Sequence, residues 1–166
     1  EDNSSKRTKT WFADGGYFMS NESNEDRWTT IPQDWLGEHG QRVDIVLDCF
    51  QLMGTDNRLF GLAIGESNNA MLFCGLSAAG EASIWEYAQG RWLERLPWTR
   101  SAQESIAAMR GGRIEVQLRD RKLRLLVNGT EIGSIEHSLH LVRAGVSVAG
   151  NQTVLFHRLQ ARLPQD

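Results

Sequence analysis

Three prolines and two cysteines are all that 166 residues hold. So little proline excludes a collagen-like or proline-rich linker chain, and two cysteines cannot build a disulfide framework. No apolar run approaches the ~20 residues that a membrane-crossing helix needs. A strong charge of either sign is also missing. Eighteen basic against 21 acidic side chains give −3, which draws the molecule to neither nucleic acid nor an anionic membrane. There is no P-loop, no dinucleotide fingerprint and no Gly-x-Ser-x-Gly, so nucleotide, NAD and serine-hydrolase chemistry have no motif to stand on. No signal peptide is visible and the first residue is Glu1 rather than Met. The chain therefore reads as a mature form or a piece of a larger, exported protein, secreted or outside the cytoplasm.

What is present is a strand rhythm. In "RVDIVLD" Val43, Ile45 and Leu47 alternate with Asp44 and Asp48, the mark of a half-buried strand. "RLFGLAIG", "AMLFCGLS", "EASIWEYA" and "WLERLPW" follow at hairpin spacing. Ile114, Val116 and Leu118, then Leu123, Leu125 and Val127, keep one apolar face through a turn at Asp120-Arg121. Asn128-Gly129 then supplies two residues suited to a type I′ turn. "AGVSVAG" and "TVLFHRLQARL" are the last two strands. One helix interrupts them near 102–109, with Ser101 and Glu104 as a capping box and Gly111-Gly112 as its stop. The fold predicted is all-β, a two-sheet antiparallel jelly-roll sandwich with one short helix. Residues 1–10 read as a polar linker or frayed terminus, and 11–166 as a single domain.

Cys49 and Cys74 sit in apolar strands that flank a middle strand if the three form a meander. Their backbones are then roughly 10 Å apart, beyond the ~7 Å limit of a disulfide, so two buried free thiols are expected. Asn3, Asn21, Asn128 and Asn151 each begin an Asn-x-Ser/Thr triplet, which matters only where the source glycosylates.

Candidate chemistry is sparse. Asp44 and Asp48 share a strand face but lie about 13 Å apart along it, too far for the carboxylate pair of a glycosidase. Glu81 and Glu86, five residues apart, face opposite ways. His39, His137, His140 and His157 are scattered, and His137-x-x-His140 would need a helix to converge on zinc. The thiols have no base to activate them. The oxygen-rich turns "GTDN" and "ESNN" suit hairpins and are the candidates for a calcium ion. Arg113, Arg119, Arg121, Lys122 and Arg124 form a basic hairpin, either a solvated strand face or a patch for an acidic partner.

The order of pieces resembles a known superfamily. "DGGYF", "RWTTIP" and "LFGLAIG", then "GRWLERLPWTRS", the "VNG" hairpin, "AGVSVAG" and "TVLFHRLQARL", are similar to the concanavalin A-like, laminin G-type jelly rolls over residues 11–163. The resemblance implies one convex and one concave sheet, with ligands on the concave face or its rim. It makes Trp92 and Trp98 structural, and Trp11, Trp28 and Trp35 read as core seals near the N-terminal entry. It leaves function open between glycan binding, protein contact and catalysis, including action on oxidised disaccharides. Trp85 decides between them. With Trp85 inward, the favoured arrangement, Glu86 is on the surface. With Ile84 inward, Trp85 and Tyr87 join Asp48 and Phe50 as a platform for a sugar ring or a protein surface. The expectation is a non-catalytic binding module for a glycan, with no resident cofactor.

Overall fold

The computed structural model describes residues 8–33, 36 and 42–164. The strands are β1 (Thr8–Ala13), β2 (Gly16–Asn21), β3 (Arg27–Pro32), β4 (Val43–Gly54), β5 (Phe60–Ser67), β6 (Ala70–Leu76), β7 (Ala82–Ala88), β8 (Arg91–Thr99), β9 (Gly111–Arg119), β10 (Lys122–Val127), β11 (Thr130–Glu136), β12 (Arg143–Val148) and β13 (Gln152–Arg162). They form a seven-stranded sheet, β1-β2-β13-β4-β9-β10-β11, and a six-stranded sheet, β3-β12-β5-β6-β7-β8, both antiparallel. The expected sandwich is there. Strand structure begins at Thr8, inside the stretch read as linker, because Thr8, Lys9 and Thr10 pair with Asn21, Ser20 and Met19. Residues 1–7, Trp35 and His39 lie outside the described residues.

The core is built from the alternating residues of both inner faces. Ile45, Leu47, Ile114, Val116, Leu123 and Leu125 come from the larger sheet, and Phe60, Leu62, Ile64, Leu72, Leu76 and Ile84 from the smaller. All twelve are fully buried. No described helix is long and apolar enough to cross a membrane.

Three local expectations change. First, β4 does not pair with β5. The chain crosses to the other sheet, and β4 lies between β13 and β9. Cys49 and Cys74 are free and buried as expected, but the reason is that they face the core from opposite sheets, which pack about 10 Å apart. Second, α1 (Gln103–Met109) starts from Ala102 with no side-chain cap, so Ser101 and Glu104 form no capping box. Third, the left-handed position at its end is taken by Arg110 at φ 51°, whose guanidinium reaches Gln51 and Asp56. Gly111 answers a different need: a Cβ there would lie 2.1 Å from the Cys49 carbonyl oxygen. The Asn128-Gly129 turn forms as read, at φ 50° and 81°.

Burial raises the Cys74 thiol to about 12 and pushes Cys49 further, with the Asp48 charge adding to it. A thiol-specific reagent at mildly alkaline pH is therefore expected to leave the native protein unlabelled. It should label both cysteines once denaturant opens the sandwich.

Candidate functional site on the concave face

Strand register sets out the outer face of the six-stranded sheet in rows. One row runs Trp28, Ser147, Gly61, Gly75, Ser83 across β3, β12, β5, β6 and β7. The next runs Thr30, Gly145, Ala63, Phe73, Trp85, Glu94, ending on β8. β12 and β5 carry only glycine, alanine and serine here, so the floor is low over these two strands, with Trp28 on one side and Phe73 and Trp85 on the other.

The sheet is strongly curved. In a flat sheet the edge strands β3 and β8, five steps apart, would be separated by about 24 Å. Yet the ring centroids of Trp28 and Trp92, one from each edge strand, are 6.2 Å apart at 87°. Trp28 also meets Phe73 at 5.2 Å and Tyr87 at 5.6 Å, while Trp92 meets Phe73 at 5.0 Å and Tyr87 at 5.1 Å. Edge-on and tilted contacts at these distances are the favourable aromatic geometries. They bridge the hollow from edge to edge.

Beside this bridge is a cleft of about 220 Å³, lined by Trp28, Phe73, Trp85, Trp92 and Trp98, with Asp26, Asn57, Arg58, Leu59, Ser147 and Ala149. Ile84 is in the core, so Trp85 and Tyr87 face outward, the reverse of the favoured sequence reading. The Trp85 indole N–H donates to Ser83 Oγ at 3.1 Å, which fixes the ring against the floor. Glu86 takes the inward position instead, 9% exposed, and its carboxylate is held by Arg95. Arg95 donates also to the Glu136 carbonyl of β11, in the other sheet.

The polar groups of the cleft are few and specific. Ser147 is 4% exposed and its hydroxyl has no hydrogen-bond partner among the described residues. Burial raises Asp26 above the usual carboxylate range, opposed by the nearby Arg58 and Arg27 charges and the Gly150 N–H. Asp26 is the one carboxylate among the described lining residues.

The other sequence candidates lie elsewhere. Asp48 and Phe50 are on β4, in the other sheet, so they share no face with Trp85 and Tyr87. The strand-order error explains the separation. Asp48 receives two hydrogen bonds from Arg113, at 2.8 and 3.1 Å. Arg119 pairs with Asp44 at 2.8 Å, and Arg124 with Glu131. Arg121 and Lys122 are exposed at the β9–β10 turn. Asn21 is buried with its amide donating to the Glu25 and Val148 carbonyls, which removes it as a glycosylation acceptor, whereas Asn151 is exposed. No group of three or more His, Cys, Asp or Glu side chains among the described residues is placed to hold a metal ion.

Trp28, Trp92 and Trp98, read from sequence as structural, line the cleft, and Asp26, Arg58 and Ser147 were not singled out. Phe73 was readable: it alternates with the core residues Leu72 and Cys74.

No protein-family model matches the sequence, and no curated protein matches it. Solved structures do. The carbohydrate binding module CBM66 from Bacillus subtilis superposes with a TM-score of 0.72 at 8% identity, over 93% of this chain and 91% of that one. A Bacillus subtilis protein of unknown function with a galectin-like fold gives 0.62 at 9% identity, over 94% and 86%. What these likenesses share with the chain is the fold, a two-sheet antiparallel β-sandwich. The GH43 protein BlXynB from Bacillus licheniformis gives 0.57 at 11% identity, and there the chain spans 40% of the other's length. Identities this low carry the architecture alone, so the function of this sandwich has to come from its own cleft.

Proposed function

We propose that the protein is a non-catalytic glycan-binding module, and that its concave-face cleft takes a sugar ring against Trp85. The observation that carries this is the pairing of an aromatic-lined hollow with the Asp26 carboxylate and a buried Ser147 hydroxyl that has no partner among the described residues. A sugar ring has an apolar C–H face that stacks on an indole, and an equatorial fringe of hydroxyls that needs such partners. Two similar folds are named for carbohydrate binding or for likeness to galectins, which supports the reading. A two-carboxylate hydrolytic mechanism lacks its second acid in the described lining.

A glycan array with the intact protein tests this, alongside thermal-shift measurements with and without calcium. Binding that Trp85→Ala removes is the expected result; an array with no glycan hit would sink the reading. The Asp26 carboxylate adds a signature. Ionised, it accepts sugar hydroxyls; protonated, it loses that capacity. Its raised titration means that protonation sets in at a higher pH than for an ordinary aspartate. Affinity is expected to fall on mild acidification, and Asp26→Asn should bind more weakly with a flat pH profile.

A protein partner is the second reading. Trp11, Phe18, Leu155 and Phe50 form a continuous row on the outer face of the seven-stranded sheet. Trp11 and Phe18 stack at 5.1 Å, and Trp11 remains 41% exposed.

A further inference from the structure

The concave face is hollow, yet it is not a trough through which a chain could run. On one side the bridge of Trp28, Phe73, Tyr87 and Trp92 crosses it from edge strand to edge strand. Beyond the bridge the cleft is bordered by Asn57, Arg58 and Leu59 from the β4–β5 connection and by Trp98 of β8. Leu59 lies directly above the floor, since a Cβ on Gly75 would meet its Cγ at 2.7 Å. The space left is about 220 Å³, below the ~300–1,000 Å³ of sites for drug-sized ligands and suited to one ring with its hydroxyls. The way in is from solvent.

The charges inside are balanced. Arg58 and Asp26 face the same small volume. A ligand carboxylate placed there would be pulled by the guanidinium and repelled by Asp26, whose ionised form partial burial already disfavours. Hydroxyls satisfy both groups without adding charge.

We propose that the cleft recognises a single terminal residue of a neutral glycan, entering end-on, and that the aromatic bridge excludes residues from the interior of a chain. This rests on the glycan reading above and narrows it to one end of the ligand and to sugars without a carboxylate.

Titration calorimetry on the intact protein separates the alternatives. The probes are gluco-, xylo-, galacto-, manno- and fructo-oligosaccharides, from monosaccharide to hexasaccharide. Each is also tested with its terminal residue capped by a bulky acyl group, and with that residue replaced by a uronic acid. For whichever series binds, Kd is expected to change by less than about threefold between disaccharide and hexasaccharide, and to rise at least about tenfold with either terminal modification. An affinity that climbs tenfold or more with length and ignores the cap would overturn end-on recognition while leaving the glycan reading intact. Equal or tighter binding of the uronic acid would overturn the neutral-sugar part. Failure of every series would overturn the glycan reading itself, and this proposal with it. Trp92→Ala, which opens the bridge, should bind capped chains that the unaltered protein rejects; continued rejection would show that the bridge is not the barrier.

Discussion

Trp85→Ala is expected to abolish measurable glycan binding while leaving the fold in place. A central aromatic in a ligand cleft commonly contributes about 2–3 kcal/mol, which is roughly a 30- to 150-fold loss in affinity. The stability effect should be modest, near 1 kcal/mol, because Trp85 is half-buried and covers the small second cluster of Ala63, Met71 and Phe73 rather than packing in the main core. Its neighbour provides the converse. Ile84 is fully buried between the sheets, and Ile84→Ala should cost about 2–5 kcal/mol of stability with ligand affinity retained in the folded fraction. Calorimetric titration and thermal unfolding of the two variants together test which way β7 faces. If Ile84→Ala lost binding and Trp85→Ala lost stability, the strand would face the other way and the cleft assignment would fall.

The second large effect is at Arg95. Glu86 occupies a core-facing position on β7 with its side chain 12% exposed, and Arg95 is its ion-pair partner. Arg95→Met leaves that carboxylate in a mostly dry setting without its ion-pair partner. Stranding a buried charge costs about 3–5 kcal/mol. Because the Arg95 side chain is itself 30% exposed, the lower end applies, about 3 kcal/mol, or roughly 6–12 °C in Tm for a chain of this size. Arg95 also ties β8 to the Glu136 carbonyl on β11, so the loss should appear first as faster amide exchange along those two edge strands. Combining Arg95→Met with Glu86→Leu removes both charges and should recover most of the stability. A double variant as unstable as the single one would show that the pair itself, rather than the orphaned charge, matters.

The same two residues show where the sequence stops being legible. By local hydrophobicity Trp85 and Tyr87 belong inside and Glu86 outside, because burying a carboxylate is costly. The inversion depends on Arg95, nine residues on, and on a carbonyl of the other sheet, and nothing near "IWEYA" announces either. Hairpins closed by their own turns were readable: β9 to β11 follow their alternation and the Asn128-Gly129 turn. The alternation of β4 was equally plain, but its sheet was not. Its partners β13 and β9 are distant in sequence and are set by closure of the whole sandwich. Asp48 and Phe50 were therefore placed beside Trp85 when they lie in the opposite sheet. The cleft depends on the same long-range closure. Asp26 and Trp28 come from near the start of the chain, Arg58 from a connection and Ser147 from the penultimate strand, and no local motif joins them.

Four of the six tryptophans, Trp28, Trp85, Trp92 and Trp98, border one cleft, and two of them cross nearly at right angles within 6.2 Å. The Trp28 and Trp92 rings are near enough for their excited states to couple, so this face is expected to contribute to the near-ultraviolet dichroism and the intrinsic emission. A molecule that settles there changes the polarity around several indoles at once. The domain thus carries its own optical reporter, and a screen for its ligand can be run on unlabelled protein with a fluorimeter.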